Sequence, residues 1–536
     1  MLFRSLRRAK EAPAHPLQAG AAPTPALKVN NGDWPAYRGN ARRTGAVPTT
    51  LSSAKVRWNA KPEHPFTVLP GYDAQRLEWL ERPTPPVTAG GMAFYGGSDG
   101  SVRAVKVSDG QIAWTYWTGG AVLTAPAFAG GRLYAGSADG WAYCLDAATG
   151  ALVWRWRGAP AERLIAVYGK IFSSWPVTAV LVDEGTVYGV AGQWMQNGSV
   201  TFALDAATGQ PRWTAWTDPS WEGRDFMQPG DSGFSPAGQL ALVGNNLWVR
   251  TYLGIPAVFD AASGRRVPPT DDLIRLANRQ SWSFGVRLAT AGQDILVVND
   301  RLVLQGGKPL LYNPDVRGDK SAARFIAYYL NEKGQIPVEP LSRPAIPSSL
   351  IAPALDGGDL LMVGGIGRSW RSENATIGLS LWALDVWQKE FETAQSAQSA
   401  TDADAADPGV AVAKKKGAAA QTAAGEDDLR SGFCMALDMQ KARWRMDDVD
   451  ISAIALTPDA AVAVIGEQKP PEQGRRAYGQ SPEYTGWNLV AFDRATGKKR
   501  WSVALPGEPV FNGIAPSADG SWIVTLRDGS MVCVSR

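Results

Sequence analysis

One step recurs along this chain: an apolar residue, Asp, a short turn ending in Gly, then a strand ending in Trp. Asp146 precedes Trp154 by eight residues, and the same interval separates Asp205 from Trp213 and Asp493 from Trp501. In the copy that ends at Trp114, Lys106 stands in the Asp place. AVFDAASG (257–264) keeps the Asp and the Gly, but Pro268 stands where Trp would be. MALDMQKARW (435–444) shortens the turn and keeps Trp444. A unit repeated in this way is a supersecondary piece too small to bury its own apolar face, so neighbouring copies must stack.

The chemistry of the step is that of strands joined by a tight turn. Short apolar runs such as RLYAGS (132–137) and AYCLD (142–146) have strand composition. Asp bonds forward to backbone amides and Gly supplies a positive φ, so DAATG reads as a turn between two strands. The recurring Trp is placed to wedge between units. The residue before the apolar-Asp pair is small in most copies: Ala104, Cys144, Ala203, Ala383, Ala436, Ala491 and Cys533. Close packing is expected there, with two of the three Cys standing in for Ala.

Repeats of about 40 residues with four strands describe a β-propeller, and Trp114 to Trp154 spans 40 residues. The expected fold is all-β: a single eight-bladed propeller of four-stranded antiparallel blades over 31–536. The blade signatures centre on 95–114, 134–154, 188–213, 247–264, 302–330, 360–444, 461–501 and 522–536. The last span holds only the early strands of a blade. KVRW (55–58) is expected to supply its outer strand, closing the ring and removing an open edge.

Two insertions interrupt the pattern. Residues 155–180 form a long connection between the second and third blades. Residues 386–431 include an Ala/Asp/Lys-rich tract, and disorder is expected at about 390–430.

Composition narrows the functional classes. The 536 residues carry a formal charge of +3, which leaves no electrostatic footprint for nucleic acid. Two His, His15 and His64, argue against a His-rich metal site or a Ser-His-Asp triad. The three Cys are isolated, with no CxxC, no haem-attachment motif and no vicinal pair. Residues 1–30 are basic, then Ala/Pro-rich, and are expected to be a flexible lead-in; no signal-peptide apolar run is visible in them. No stretch approaches the ~18 apolar residues of a transmembrane helix.

The repeats resemble the tryptophan-docking repeats of the pyrroloquinoline quinone (PQQ) propeller superfamily, over roughly residues 33–536. NNGDWPAYRGNARRTG (30–45) looks like the entry segment of secreted bacterial propellers of this type, and the 155–180 connection is most similar to their uncharacterised PQQ-binding-like members. The superfamily includes quinone-dependent alcohol and sugar dehydrogenases. It also includes non-catalytic members such as the lipoprotein subunit of the outer-membrane protein assembly machine. The resemblance implies an extracytoplasmic setting. Its dehydrogenases stack the quinone on a vicinal disulfide and hold Ca²⁺ with Glu, Asn and Asp. The vicinal pair is absent here, and no calcium-ligand spacing stands out.

Ligands of propellers meet loops around the central channel, so residues outside the repeat register are the better binding candidates. These include Arg163, Trp175, Trp194, Arg250, Arg287 and Trp370, with Trp282, Arg368 and Arg371 in similar segments. Aromatics with Arg could clamp a planar anion or a sugar. The same residues also suit inter-blade packing with Arg on the rim. The expected function is a non-catalytic binding or scaffold propeller, acting as a monomer on a protein partner or a small molecule at the channel face. The alternatives are a PQQ-dependent oxidoreductase with Ca²⁺ and a carbohydrate-binding propeller.

Overall fold

The Asp-to-Gly step closes as its chemistry dictates. Asp146 Oδ1 accepts from the Ala148 and Thr149 amides at 3.0 and 2.9 Å and from Thr149 Oγ1 at 3.0 Å. Gly150, at φ 76°, returns its amide to the Asp146 carbonyl at 2.8 Å. Asp205 repeats this with Ala207 and Thr208, and Asp493 with Thr496. Each turn reverses the third strand of a blade into its outer strand.

The computed structural model describes residues 15–22, 24, 27–51, 54–63, 66, 83–167, 170–193, 197–218, 234, 236–251, 257–267, 289–291, 295–299, 302–305, 308–312, 354–366, 376–386, 389, 439–446, 449–469 and 484–536. Among these lie eight antiparallel sheets built on four strands each, and one separate hairpin. Blade one runs from Val87–Ala89 to Ile112–Trp117, blade two from Ala127–Ala129 to Leu152–Arg157, and blade three from Val177–Asp183 to Pro211–Thr217. Blade four runs from Pro236–Val243 to Arg266–Val267, blade five from Ala289–Ala291 to Lys308–Tyr312, blade six from Ala354–Asp356 to Trp444–Met446, and blade seven from Asp450–Leu456 to Lys499–Leu505. Blade eight takes Pro509–Pro516, Trp522–Leu526 and Met531–Ser535 from one end of the chain and Lys55–Ala60 from the other. The inner strand of every blade touches that of the next, and blade eight touches blade one, so the ring closes.

The repeat Trp residues join blade to blade. Trp58, Trp114, Trp154, Trp213 and Trp444 donate from Nε1 to the carbonyls of Val107, Ala147, Ala206, Ala261 and Arg494 at 2.9–3.2 Å. Each acceptor follows the Asp of the next blade's turn, or Lys106 in its place. In blade eight no such turn exists, and Trp501 bonds the Leu51 carbonyl instead, at 2.7 Å. The small residue sits directly across from the Trp: Ala104 pairs with Trp114, Cys144 with Trp154, Ala203 with Trp213, Ala491 with Trp501 and Cys533 with Trp58.

Several expectations are corrected. In blade six Trp444 faces Leu381, and Ala383 pairs with Asp359 on the second strand. Blade five, expected at 302–330, has its strands between Ala289 and Tyr312; the fall-off of the repeat there hid its start. Leu17–Ala19, expected within a flexible lead-in, adds a fifth strand to blade two opposite Trp154–Trp156. Two long-range contacts hold it: His15 stacks on Trp156 at 4.9 Å, and Thr24 bonds Asp146 Oδ2 through its amide and hydroxyl, both at 2.7 Å. The expected disordered insertion at 390–430 lies outside the described residues.

The entry segment Asp33–Val47 lies against the inner strands at their C-terminal ends. The carbonyls of Trp34, Pro35, Ala41, Thr44 and Gly45 accept from Thr88, Phe128, Leu242, Leu355 and Leu456 at 2.7–3.1 Å. One short segment thereby pairs with blades one, two, four, six and seven, and Ala518 of blade eight donates to Asp33 Oδ1 at 3.0 Å. Arg43, 1% exposed, bonds the Leu240 and Tyr37 carbonyls at 2.8 and 2.9 Å. Burial lowers its pKa to about 10, so it stays a cation at neutral pH. The turns from the inner to the second strand and from the third to the outer strand share this end of the ring, and the connections between blades share the other.

Candidate functional site

The connection between blades two and three reaches the end opposite the entry segment. Its middle folds as a hairpin, Leu164–Val167 paired with Lys170–Ser173. Alternation places Ile165 and Phe172 on one face, and Phe172 is buried with Ala121 and Ala138. The other face presents Leu164, Ala166 and Ile171. Leu164 and Ile171 are each 67% exposed, so they take no part in the core.

A polar clasp pins the base of the hairpin. Arg163 donates from Nε to Ser174 Oγ at 2.7 Å and from Nη2 to Asn197 Oδ1 at 2.5 Å. Its guanidinium lies 4.8 Å from the Trp175 ring centroid. Trp175 donates from Nε1 to the Asn197 carbonyl at 2.8 Å, and the Ser174 amide donates to the Arg163 carbonyl at 2.7 Å. Asn197 belongs to the turn between the second and third strands of blade three, so the clasp welds the connection to that blade.

Two of the candidate residues, Arg163 and Trp175, therefore come together. Nε and Nη2 of Arg163 and Nε1 of Trp175 are engaged by Ser174 and Asn197. Arg250 lies on the second strand of blade four, Asn246–Thr251. Trp194, Arg287 and Trp370 lie outside the described residues, as do Trp282, Arg368 and Arg371. Ser174 and Asn197 escaped the sequence reading. Asn197 begins an Asn-Gly-Ser stretch, and no local pattern announces a bond across 34 residues.

Cys144 and Cys533 are free, buried and in different blades, each opposite a wedge Trp. Burial pushes the Cys144 thiol up and the Cys533 thiol up to about 11, so both stay protonated. Among the described residues no group of three His, Cys, Asp or Glu side chains could hold a metal ion. No described helix is long and apolar enough to cross a membrane.

Four-stranded blades in a closed ring, wedged by Trp, define a β-propeller. The family model described as outer membrane protein assembly factor BamB matches residues 41–301. The fold is shared with a quinohemoprotein alcohol dehydrogenase from Pseudomonas putida HK5, at 13% identity over 94% of this chain and 80% of that one, TM-score 0.50. A quinohemoprotein alcohol dehydrogenase from Comamonas testosteroni gives the same values. A europium-containing methanol dehydrogenase aligns at 12% identity over 95% of this chain and 99% of that one, TM-score 0.53. At these identities the likeness concerns the fold alone. No curated protein matches the chain in sequence. Over residues 41–301 the chain is similar to that family, and over nearly its whole length it shares the fold of these dehydrogenases.

Proposed function

We propose that this chain is a non-catalytic binding or scaffold propeller that docks a protein partner at the blade two–three hairpin. The observation that carries this reading is the contrast within that hairpin. Its base is held rigid by the Arg163–Trp175–Asn197 clasp, while Leu164 and Ile171 face solvent at 67% exposure each. Exposed aliphatic side chains on a preorganised projection suit a contact surface, because little ordering is left to do on binding. The matched family model, named for an assembly factor of the outer membrane, is consistent with a protein partner and an extracytoplasmic setting. The chain acts as a monomer in this reading.

The test places a photo-crosslinking residue at Leu164 and, as a control on the opposite end of the ring, at Thr496. A discrete adduct from position 164 alone is expected in the producing cells. Equal labelling from both positions, or no adduct at 164, overturns the docking reading. The quinoprotein alternative is tested separately by titrating PQQ with Ca²⁺ against thermal unfolding. A ligand of the native state raises Tm by mass action, and a saturable rise would replace the scaffold reading with the oxidoreductase one. Soluble oligosaccharides in the same assay test carbohydrate binding.

A further inference from the structure

In blade eight the third and outer strands come from opposite ends of the chain, so no turn joins them. Its register shows what stands in the place of the missing step. Trp58 pairs with Cys533 as Trp154 pairs with Cys144. Ser535 therefore occupies the position that Asp146 holds in blade two, Asp205 in blade three and Asp493 in blade seven.

That Asp has a partner elsewhere in the ring. The Arg immediately before the wedge Trp bonds it: Arg212 Nη2 to Asp205 Oδ2 at 3.0 Å, and Arg500 Nη2 to Asp493 Oδ2 at 2.7 Å. Arg57 is the matching residue of blade eight, and Ser535 offers it no carboxylate. Among the described residues Arg57 bonds Asp519 Oδ2 of the neighbouring turn, at 3.2 Å. Asp519 is already engaged by the Ser521 amide and hydroxyl at 3.0 and 2.9 Å. An open cleft of about 600 Å³ lies here, lined by Lys55, Arg57, Asp519, Ser521, Ser535 and Arg536. Lys55, Arg57 and Arg536 thus line it together with one carboxylate side chain, Asp519. Neither Lys55 nor Arg536 has a carboxylate partner among the described residues.

We infer that this cleft binds a small dianion, a phosphate or a dicarboxylate, with one anionic group taking the place that the turn carboxylate fills in blades three and seven. Guanidinium and ammonium donors around an oxyanion form the stronger class of hydrogen bonds. The ligand bridges the closing strand Lys55–Ala60 to the strand Met531–Ser535 and so fastens the seam of the ring. This site lies at the opposite end from the hairpin and does not depend on the docking reading.

Inorganic phosphate and succinate are titrated calorimetrically against the full chain at constant ionic strength, with thermal unfolding in parallel. One saturable site for at least one dianion is expected, with a matching rise in Tm. Lys55→Ala weakens binding by about tenfold. Ser535→Asp supplies the carboxylate from within the blade and weakens binding by about tenfold or more. No saturable binding of either dianion overturns the assignment. So does binding that both substitutions leave unchanged, or a Tm rise that sodium chloride reproduces at equal ionic strength.

Discussion

Trp154 of blade two reaches into blade three, where its indole Nε1 donates to the Ala206 carbonyl at 3.2 Å and Gly209 lies against its ring. It is 2% exposed and sits in one cluster with Trp156, Val177 and Phe202. Trp154→Ala removes a large buried side chain and leaves the Ala206 carbonyl with only its bond from Tyr134 Oη, at 2.9 Å. A loss of about 3–5 kcal/mol is expected in urea unfolding. A loss below about 1 kcal/mol would mean that the indole is not a wedge.

Gly150 faces Trp114 of the preceding blade, and a Cβ added there would stand 2.6 Å from the ring. Its φ of 76° is a conformation that L side chains adopt at a cost of about 1–2 kcal/mol. Gly150→Ala therefore combines backbone strain with a clash against a side chain held by its own bond to Ala147. Destabilisation of about 2 kcal/mol or more is expected in urea unfolding. Gly130 also has a positive φ, but it faces solvent, and a Cβ there would meet nothing within 4 Å. Gly130→Ala carries the φ penalty alone and separates the two effects. Equal losses from the two substitutions would mean that the contact with Trp114 adds nothing.

Asp493 accepts from Arg500 and Thr496, and these bonds, that from Arg500 first, hold its carboxyl at about 2. Asp205 is held low in the same way, by Arg212 first and then by Thr208. A depressed folded value means stability that is fully present above the ordinary carboxylate range and is lost as pH falls through the folded value. The turn of blade seven should weaken between roughly pH 4 and pH 2. In Asp493→Asn that part of the acid transition disappears from the pH dependence of urea midpoints. An unchanged acid limb would count against the linkage.

His15 donates from Nδ1 to the Arg157 carbonyl at 2.9 Å and stacks on Trp156. Burial lowers its pKa, outweighing the backbone bond that raises it. The docked strand favours the neutral ring. Docking is therefore complete above about pH 6.5, weakens as pH falls from there, and levels off below the depressed folded value. Amide exchange at Gly20 and Ala21, whose amides donate to the Val153 and Leu152 carbonyls at 2.8 Å, should accelerate over that window in the native chain. His15→Phe keeps the stacking surface and should remove the pH dependence. Exchange that does not vary with pH beyond its intrinsic rate would contradict this.

Much of the propeller was legible in the sequence because its governing interactions are short in range or periodic. The Asp-to-Gly turn is written within five residues, and the Trp follows at a constant interval, so the wedges at Trp114, Trp154, Trp213, Trp444 and Trp501 could be assigned from the repeat alone. Ring closure by residues 55–58 was legible too, since an incomplete last blade demands an outer strand. The candidate site was less legible. Arg163 and Trp175 stood out as residues away from the repeat, but their shared engagement with Ser174 and Asn197 has no sequence pattern. The signal of the seam cleft is Ser535, which stands two residues after Cys533, where blades two, three and seven carry the turn Asp.

The sequence by itself determined the turn chemistry, the strand period and the Trp wedges, because each depends on residues a few positions apart or on repetition. Only the tertiary structure decided how the entry segment meets the ring, where Leu17–Ala19 docks, and which cations gather at the seam. Those arrangements join residues far apart in the chain, Arg43 to Leu240 across 197 positions and Arg57 to Asp519 across 462. No local propensity records which distant carbonyl or carboxylate a side chain will find once the ring has closed.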